Sequence, residues 1–130
     1  MELVYLWVED YKNIKKQGFN FSPRFKCEFK DEYEKYIDTD GKEKEKLKDN
    51  CELIVNGNKD YVTIFPDNIN ITAIVGENGS GKSSILSVLI DLFTETYTSY
   101  LDEEKYRNYI AIYKYQEKLS NEVLNWAVKF

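Results

Sequence analysis

The chain opens with a nearly continuous apolar run at residues 3–8, rich in β-branched and aromatic side chains, and this pattern predicts a strand. Residues 18–21 alternate before Ser22-Pro23 ends the pattern, which predicts a second strand across the polar segment 9–17. Phe25-Lys26-Cys27-Glu28-Phe29 alternates cleanly and predicts a third. Residues 30–50 carry dense mixed charge around the turn sequence Thr39-Asp40-Gly41-Lys42, so a solvated hairpin or a mobile excursion is expected there. Residues 51–55 and 61–65 each have strand composition and flank Asn56-Gly57-Asn58, a tight-turn sequence, so they are expected to pair as a second hairpin.

Pro66-Asp67-Asn68 breaks the pattern before residues 69–75, Ile-Asn-Ile-Thr-Ala-Ile-Val, whose β-branched density predicts a central strand buried on both faces. Residues 83–93 place apolar side chains on nearly every side of a helix, which predicts a buried helix rather than an amphipathic one. Fraying is expected at 94–99, a short helix at 102–107 and a late strand at 109–115. Residues 123–130 are open between strand and helix.

Between the predicted strand and the predicted helix lies Gly76-Glu77-Asn78-Gly79-Ser80-Gly81-Lys82-Ser83, which fits G-x-x-x-x-G-K-[ST] in the context that motif requires. Glycines let the backbone fold around a phosphate with its N–H groups turned inward, and the following helix directs about half a positive charge at the anion. On this reading residues 76–83 bind ATP with Mg²⁺: Lys82 serves the β- and γ-phosphates, the Ser83 hydroxyl is the metal ligand, and Ser84 caps or packs beside them. The bland alternative is a Gly/Ser turn that fits by accident.

The spelling Asn78-Gly79-Ser80-Gly81-Lys82-Ser83-Ser84 resembles that of ABC-type P-loop ATPases, particularly the SMC-like and RecF-like branch. The resemblance implies an α/β P-loop NTPase fold: an N-terminal lobe with an antiparallel β-subdomain preceding the Walker A strand, loop and helix at 69–93, and a partial continuation over 94–130. The opening of the chain also resembles the first strand of that branch. Asp10-Tyr11-Lys12 takes the place of its N-F-[KR] turn, which would put Lys12 and Asn13 near the base, ribose or phosphates; the alternative is an exposed lysine in a loop. The branch acts in DNA repair, chromosome maintenance or defence against phage. What the resemblance implies about partners is a C-terminal ATPase lobe, a homodimer or larger assembly, and an indirect association with DNA.

The chain departs from the family by lacking a late hhhhDE strand and an LSGG-type signature. Val88-Leu89-Ile90-Asp91 has Walker B letters but falls on the predicted helix, Leu119-Ser120-Asn121-Glu122 is a poor signature, and Gln116 follows its strand too early for a Q-loop glutamine. The expectation is nucleotide binding without hydrolysis by this chain alone. The alternatives are a P-loop kinase, which would need a lid richer in arginine than Arg24 and Arg107 allow, and a non-catalytic nucleotide-binding interaction module.

Composition narrows the classes further. The 130 residues suffice for one core. A net charge of −5 argues against a broad basic surface for duplex nucleic acid, and the absence of histidine removes histidine catalysis and His-ligated zinc. The N-terminus has no basic n-region and no apolar stretch long enough to span a membrane, so a cytoplasmic chain is expected. Cys27 and Cys51, without CxxC spacing, read as half-buried strand residues in a reducing compartment.

Overall fold

The computed structural model describes residues 2–62, 64–66, 68–93, 109–116 and 124–129. Its elements, in chain order, are β1 (Glu2–Tyr11), β2 (Ile14–Asn20), β3 (Phe25–Lys30), β4 (Tyr33–Ile37), β5 (Glu43–Leu47), β6 (Glu52–Gly57), α1 (Lys82–Phe93), β7 (Tyr109–Gln116) and β8 (Leu124–Lys129). The central sheet is antiparallel with order β2-β1-β7-β8, and β3–β6 and β4–β5 form two separate antiparallel ribbons.

β1 has layers on both sides, which is why its apolar run is nearly continuous: Val4, Tyr5, Leu6, Trp7 and Val8 are all at most 3% exposed. Leu6 and Val8 join Ala111, Tyr113, Ile14, Ile85 and Val88 in a core between sheet and helix. Tyr5 and Trp7 join Ile110, Ile112, Cys27 and Phe29 in a second core beneath the β3–β6 ribbon. Trp7 and Phe29 meet edge to face, with ring centroids 4.7 Å apart at 67°. The pairing of β1 with β7 shifts by one residue between Leu3 and Tyr5, and the carbonyl of Val4 accepts from the N–H groups of both Phe21 and Ser22 (2.9 and 3.3 Å). This bulge puts Val4 and Tyr5 on the same side, while Leu3 packs with the helix-side core.

Residues 30–50 form the solvated hairpin of the two expected outcomes. Gly41, with φ 74°, makes its turn, and Glu34–Lys46, Lys35–Glu43 and Asp38–Lys44 ion pairs at 2.9, 2.9 and 2.6 Å lace the strands. Lys16 of β2 ties the hairpin to the central sheet: its ammonium lies 3.7 Å over the Tyr33 ring and 3.3 Å from Glu45.

Three expectations are corrected. Residues 51–55 do not pair with 61–65; β6 pairs with β3, Asn56 and Gly57 lie inside that ladder, and the described residues of 61–65 have no strand. Pairing with β3 places Leu53 against the core built on Trp7, an apolar gain that a surface hairpin cannot match. Second, residues 69–75, expected as a central strand buried on both faces, form no strand. Ile74 alone is half-buried and packs on the core; Asn70 and Thr72 are exposed but donate to the Phe21 carbonyl (3.3 and 2.6 Å), and Ile69, Ile71 and Val75 are exposed. β-branched density favours a strand, but no strand among the described residues pairs with this segment. Third, α1 is buried on one face only: Ile85 and Val88 are inside, and Leu86 and Ile90 are exposed. The antiparallel sheet also draws β7 and β8 from after the loop rather than wholly preceding it.

The late strand at 109–115 is present as β7, and β8 resolves the open segment as a strand. The expected fraying at 94–99 and helix at 102–107 lie outside the described residues. No helix among the described residues is long and apolar enough to cross a membrane. Cys27 is buried in β3 and Cys51 half-buried before β6; both are free, and since Cys27 pairs with Val55 the two lie about 13 Å apart along the ribbon, too far for a disulfide.

Candidate functional site

The loop of residues 76–83 leaves the 69–75 segment and runs into the N-terminus of α1. Two of its glycines hold left-handed backbone, Gly79 at φ 83° and Gly81 at φ 103°, conformations that a side chain penalises. At Gly76 a Cβ would stand 2.5 Å from Ser80 Oγ, a contact the exposed serine relieves by turning its hydroxyl. The Ser80 N–H donates to the Glu77 carbonyl at 3.2 Å and closes the tip. Glu77, Asn78, Gly79 and Ser80 are exposed, so the loop is open to a ligand.

The first helical hydrogen bond runs from Ile85 N–H to the Gly81 carbonyl at 2.9 Å, which makes Gly81 the N-cap. A glycine cap has no side-chain oxygen to offer the first N–H groups of the helix, so their natural complement is an external anion. Lys82 is the first helical residue, and its ammonium folds back to donate to the Gly76 carbonyl. A full positive charge therefore stands across the two ends of the loop. Ser83 is exposed, and its carbonyl accepts from the Ser87 hydroxyl at 2.9 Å. Among the described residues no group of three His, Cys, Asp or Glu side chains gathers to hold a metal. A cation here would take the Ser83 hydroxyl and complete its shell with phosphate oxygens and water.

Lys12 and Asn13 form the two-residue turn between β1 and β2. Lys12 is left-handed at φ 52°, with its ammonium 5.2 Å over the Tyr11 ring. Asn13 reaches the loop directly: its Nδ2 donates to the Gly79 carbonyl at 3.1 Å, and its Oδ1 accepts from Ser84 Oγ at 2.5 Å. Ser84 is buried and Gly81 packs against Asn13, where a Cβ would meet Nδ2 at 3.5 Å. The structure thus brings residues 76–84 and Asn13 together. Of the helical carboxylates considered for catalysis, Asp91 stays on α1 rather than on a strand.

The contacts of Asn70 and Thr72 with Phe21, which hold the approach to the loop, had no motif to announce them; their period-2 alternation with isoleucines was the available signal. Beside them an open cleft of about 390 Å³ is lined by Phe21, Phe25, Lys26, Asn58 and Ile71 among others. Comparison with known proteins finds no match for the chain among family models, curated proteins or solved structures.

Proposed function

We propose that the chain binds ATP with Mg²⁺ through residues 76–83, as the N-terminal lobe of a cytoplasmic SMC-like or RecF-like ATPase with an α/β P-loop fold. The observation that carries this reading is the pair of left-handed glycines, Gly79 and Gly81, leading into a glycine-capped helix whose first residue is the lysine that reaches back to Gly76. Left-handed backbone, an open helix N-terminus and one ammonium are the parts a phosphate cradle needs.

The apolar surface around the loop supports the lobe. Val75 is 87% exposed, and Leu86 and Ile90 lie one turn apart on the outer side of α1. A second lobe that supplied strands to 69–75 and covered α1 would bury them. Such a lobe would also supply a Walker B pair, since the described strands after the loop, β7 and β8, contain no carboxylate. Work in DNA repair or phage defence belongs to the same reading. A kinase is disfavoured because Arg24 is held by Glu2 at 3.2 Å, far from a lid role.

The test is calorimetric titration of Mg-ATP into the chain and into Lys82→Ala. The expected loss on removing a charge-assisted contact is about 1.5–3 kcal/mol, or roughly ten- to 150-fold in Kd, with melting unchanged and no steady hydrolysis by either protein. Equal affinities in the two folded proteins would refute the phosphate assignment, and no binding by either would refute the nucleotide site altogether.

A further inference from the structure

We infer that Asn13 is the positioning residue of the phosphate loop: its side-chain amide clamps the loop tip to the first turn of α1. The inference rests on the nucleotide reading, but deepens it by naming what holds the loop open in the absence of ligand. The amide is engaged at both ends. Nδ2 donates to the carbonyl of Gly79, a left-handed residue at the tip, and Oδ1 accepts from the hydroxyl of Ser84, a buried residue of the first helical turn.

Three features make the clamp more than a chance contact. Gly81, between the two anchor points, turns its Cα toward Asn13, whose Nδ2 and Oδ1 would lie 3.5 and 3.7 Å from a Cβ placed there, so the clamp stands beside the left-handed glycine. One anchor is at the loop tip and the other in the first turn of α1, so Asn13 sets their separation. And Asn13 is carried by a two-residue turn at the end of β1, the strand buried in both cores, which gives the clamp a rigid base. By donating to the Gly79 carbonyl, Asn13 fixes the orientation of that peptide at the loop tip. A side chain so engaged acts through the loop rather than on the base or ribose.

The test compares wild type with Asn13→Ala, Asn13→Asp and Ser84→Ala by two measurements: amide hydrogen exchange at residues 79–81 of the ligand-free chain, and calorimetric affinity for Mg-ATP. Asn13→Ala is expected to speed exchange at 79–81 and weaken Mg-ATP binding, each about five- to tenfold, while the amides of Leu6 and Ala111 keep wild-type rates. Asn13→Asp keeps the acceptor for Ser84 but sets a carboxylate against the Gly79 carbonyl, so it should not rescue. Ser84→Ala should show a smaller change of the same kind. Wild-type exchange at 79–81 in Asn13→Ala overturns the inference, as does equal acceleration at Leu6 and Ala111, which marks general loosening. If Asn13→Ala does not fold, Asn13→Asp and Ser84→Ala are read against the same criteria. Failure of the wild type itself to bind Mg-ATP defeats the nucleotide reading, while exchange still decides whether Asn13 holds the loop.

Discussion

Asn13 and Ser84 share a 2.5 Å hydrogen bond across 71 residues of sequence, and through it a strand turn fixes the first turn of the helix that follows the loop. Neither residue belongs to the glycine-lysine core of the motif, yet the geometry of that core depends on where the β1–β2 turn stands. The loop is therefore sensitive to changes on both sides of this contact.

Gly81→Val is expected to abolish Mg-ATP binding more completely than Lys82→Ala. Gly81 sits at φ 103°, which a β-branched residue reaches only with strain of about 1–3 kcal/mol, and the new side chain would press on Asn13 and Ile14. Calorimetry on the folded variant, with far-ultraviolet circular dichroism as the control, checks it. Affinity at or above that of Lys82→Ala would show that the left-handed glycine is dispensable.

Lys12→Gly separates backbone from side chain. A lysine at φ 52° costs about 1 kcal/mol that glycine does not, so the variant should melt at a higher temperature. If the ammonium serves the nucleotide, Mg-ATP affinity should fall in the same protein. A more stable variant with unchanged affinity would return Lys12 to the exposed-loop reading.

The β1–β2 ladder has its own test at Gly18. The Tyr5 ring lies over this residue so closely that a Cβ would collide with the phenol oxygen, and the same oxygen accepts from Phe29 N–H at 3.1 Å. Gly18→Ala should lower the urea midpoint by displacing the ring and breaking that bond. Tyr5→Phe should cost about 1–3 kcal/mol by leaving the Phe29 amide unpaired in the core. Equal stability of Gly18→Ala and wild type would mean the ring has another place to go.

Burial pushes the Cys27 thiol from its ordinary value of 9.0 up to about 11. The folded chain then keeps the thiol proton that the unfolded chain releases, so stability is fully present below pH 9 and declines as pH rises from 9 toward 11. Denaturant titrations at pH 8 and 10 should show this decline in wild type and a smaller one in Cys27→Ala. A thiol reagent at pH 8 should label Cys51 well before Cys27, and the reverse order would mean that the β3–β6 ribbon opens readily.

Much of this arrangement was legible in the sequence because it is local. The strand β1 is written in its apolar run, β3 in its alternation, and the loop in its glycines. What was not legible depends on competition between distant segments. Residues 51–55 had two suitable partners, and β3 won because it leads to Trp7 and Phe29. Residues 69–75 have the composition of an interior strand, but composition does not say whether the layers that would cover Ile71 and Val75 are present. Asn13 carried a weak resemblance as a ligand contact, and only its placement turned it into a clamp.

The bulge at Val4 makes the chain's tolerance of length changes asymmetric. Removing Val4 would let β1 run unbulged, with Leu3 still toward the helix and Tyr5 still toward the ribbon. Removing Leu6, two positions on, would carry Tyr5 to the helix side and strand the amide of Phe29. Insertions and deletions among natural variants of this chain should accordingly gather at the start of β1, around the bulge, and avoid its middle.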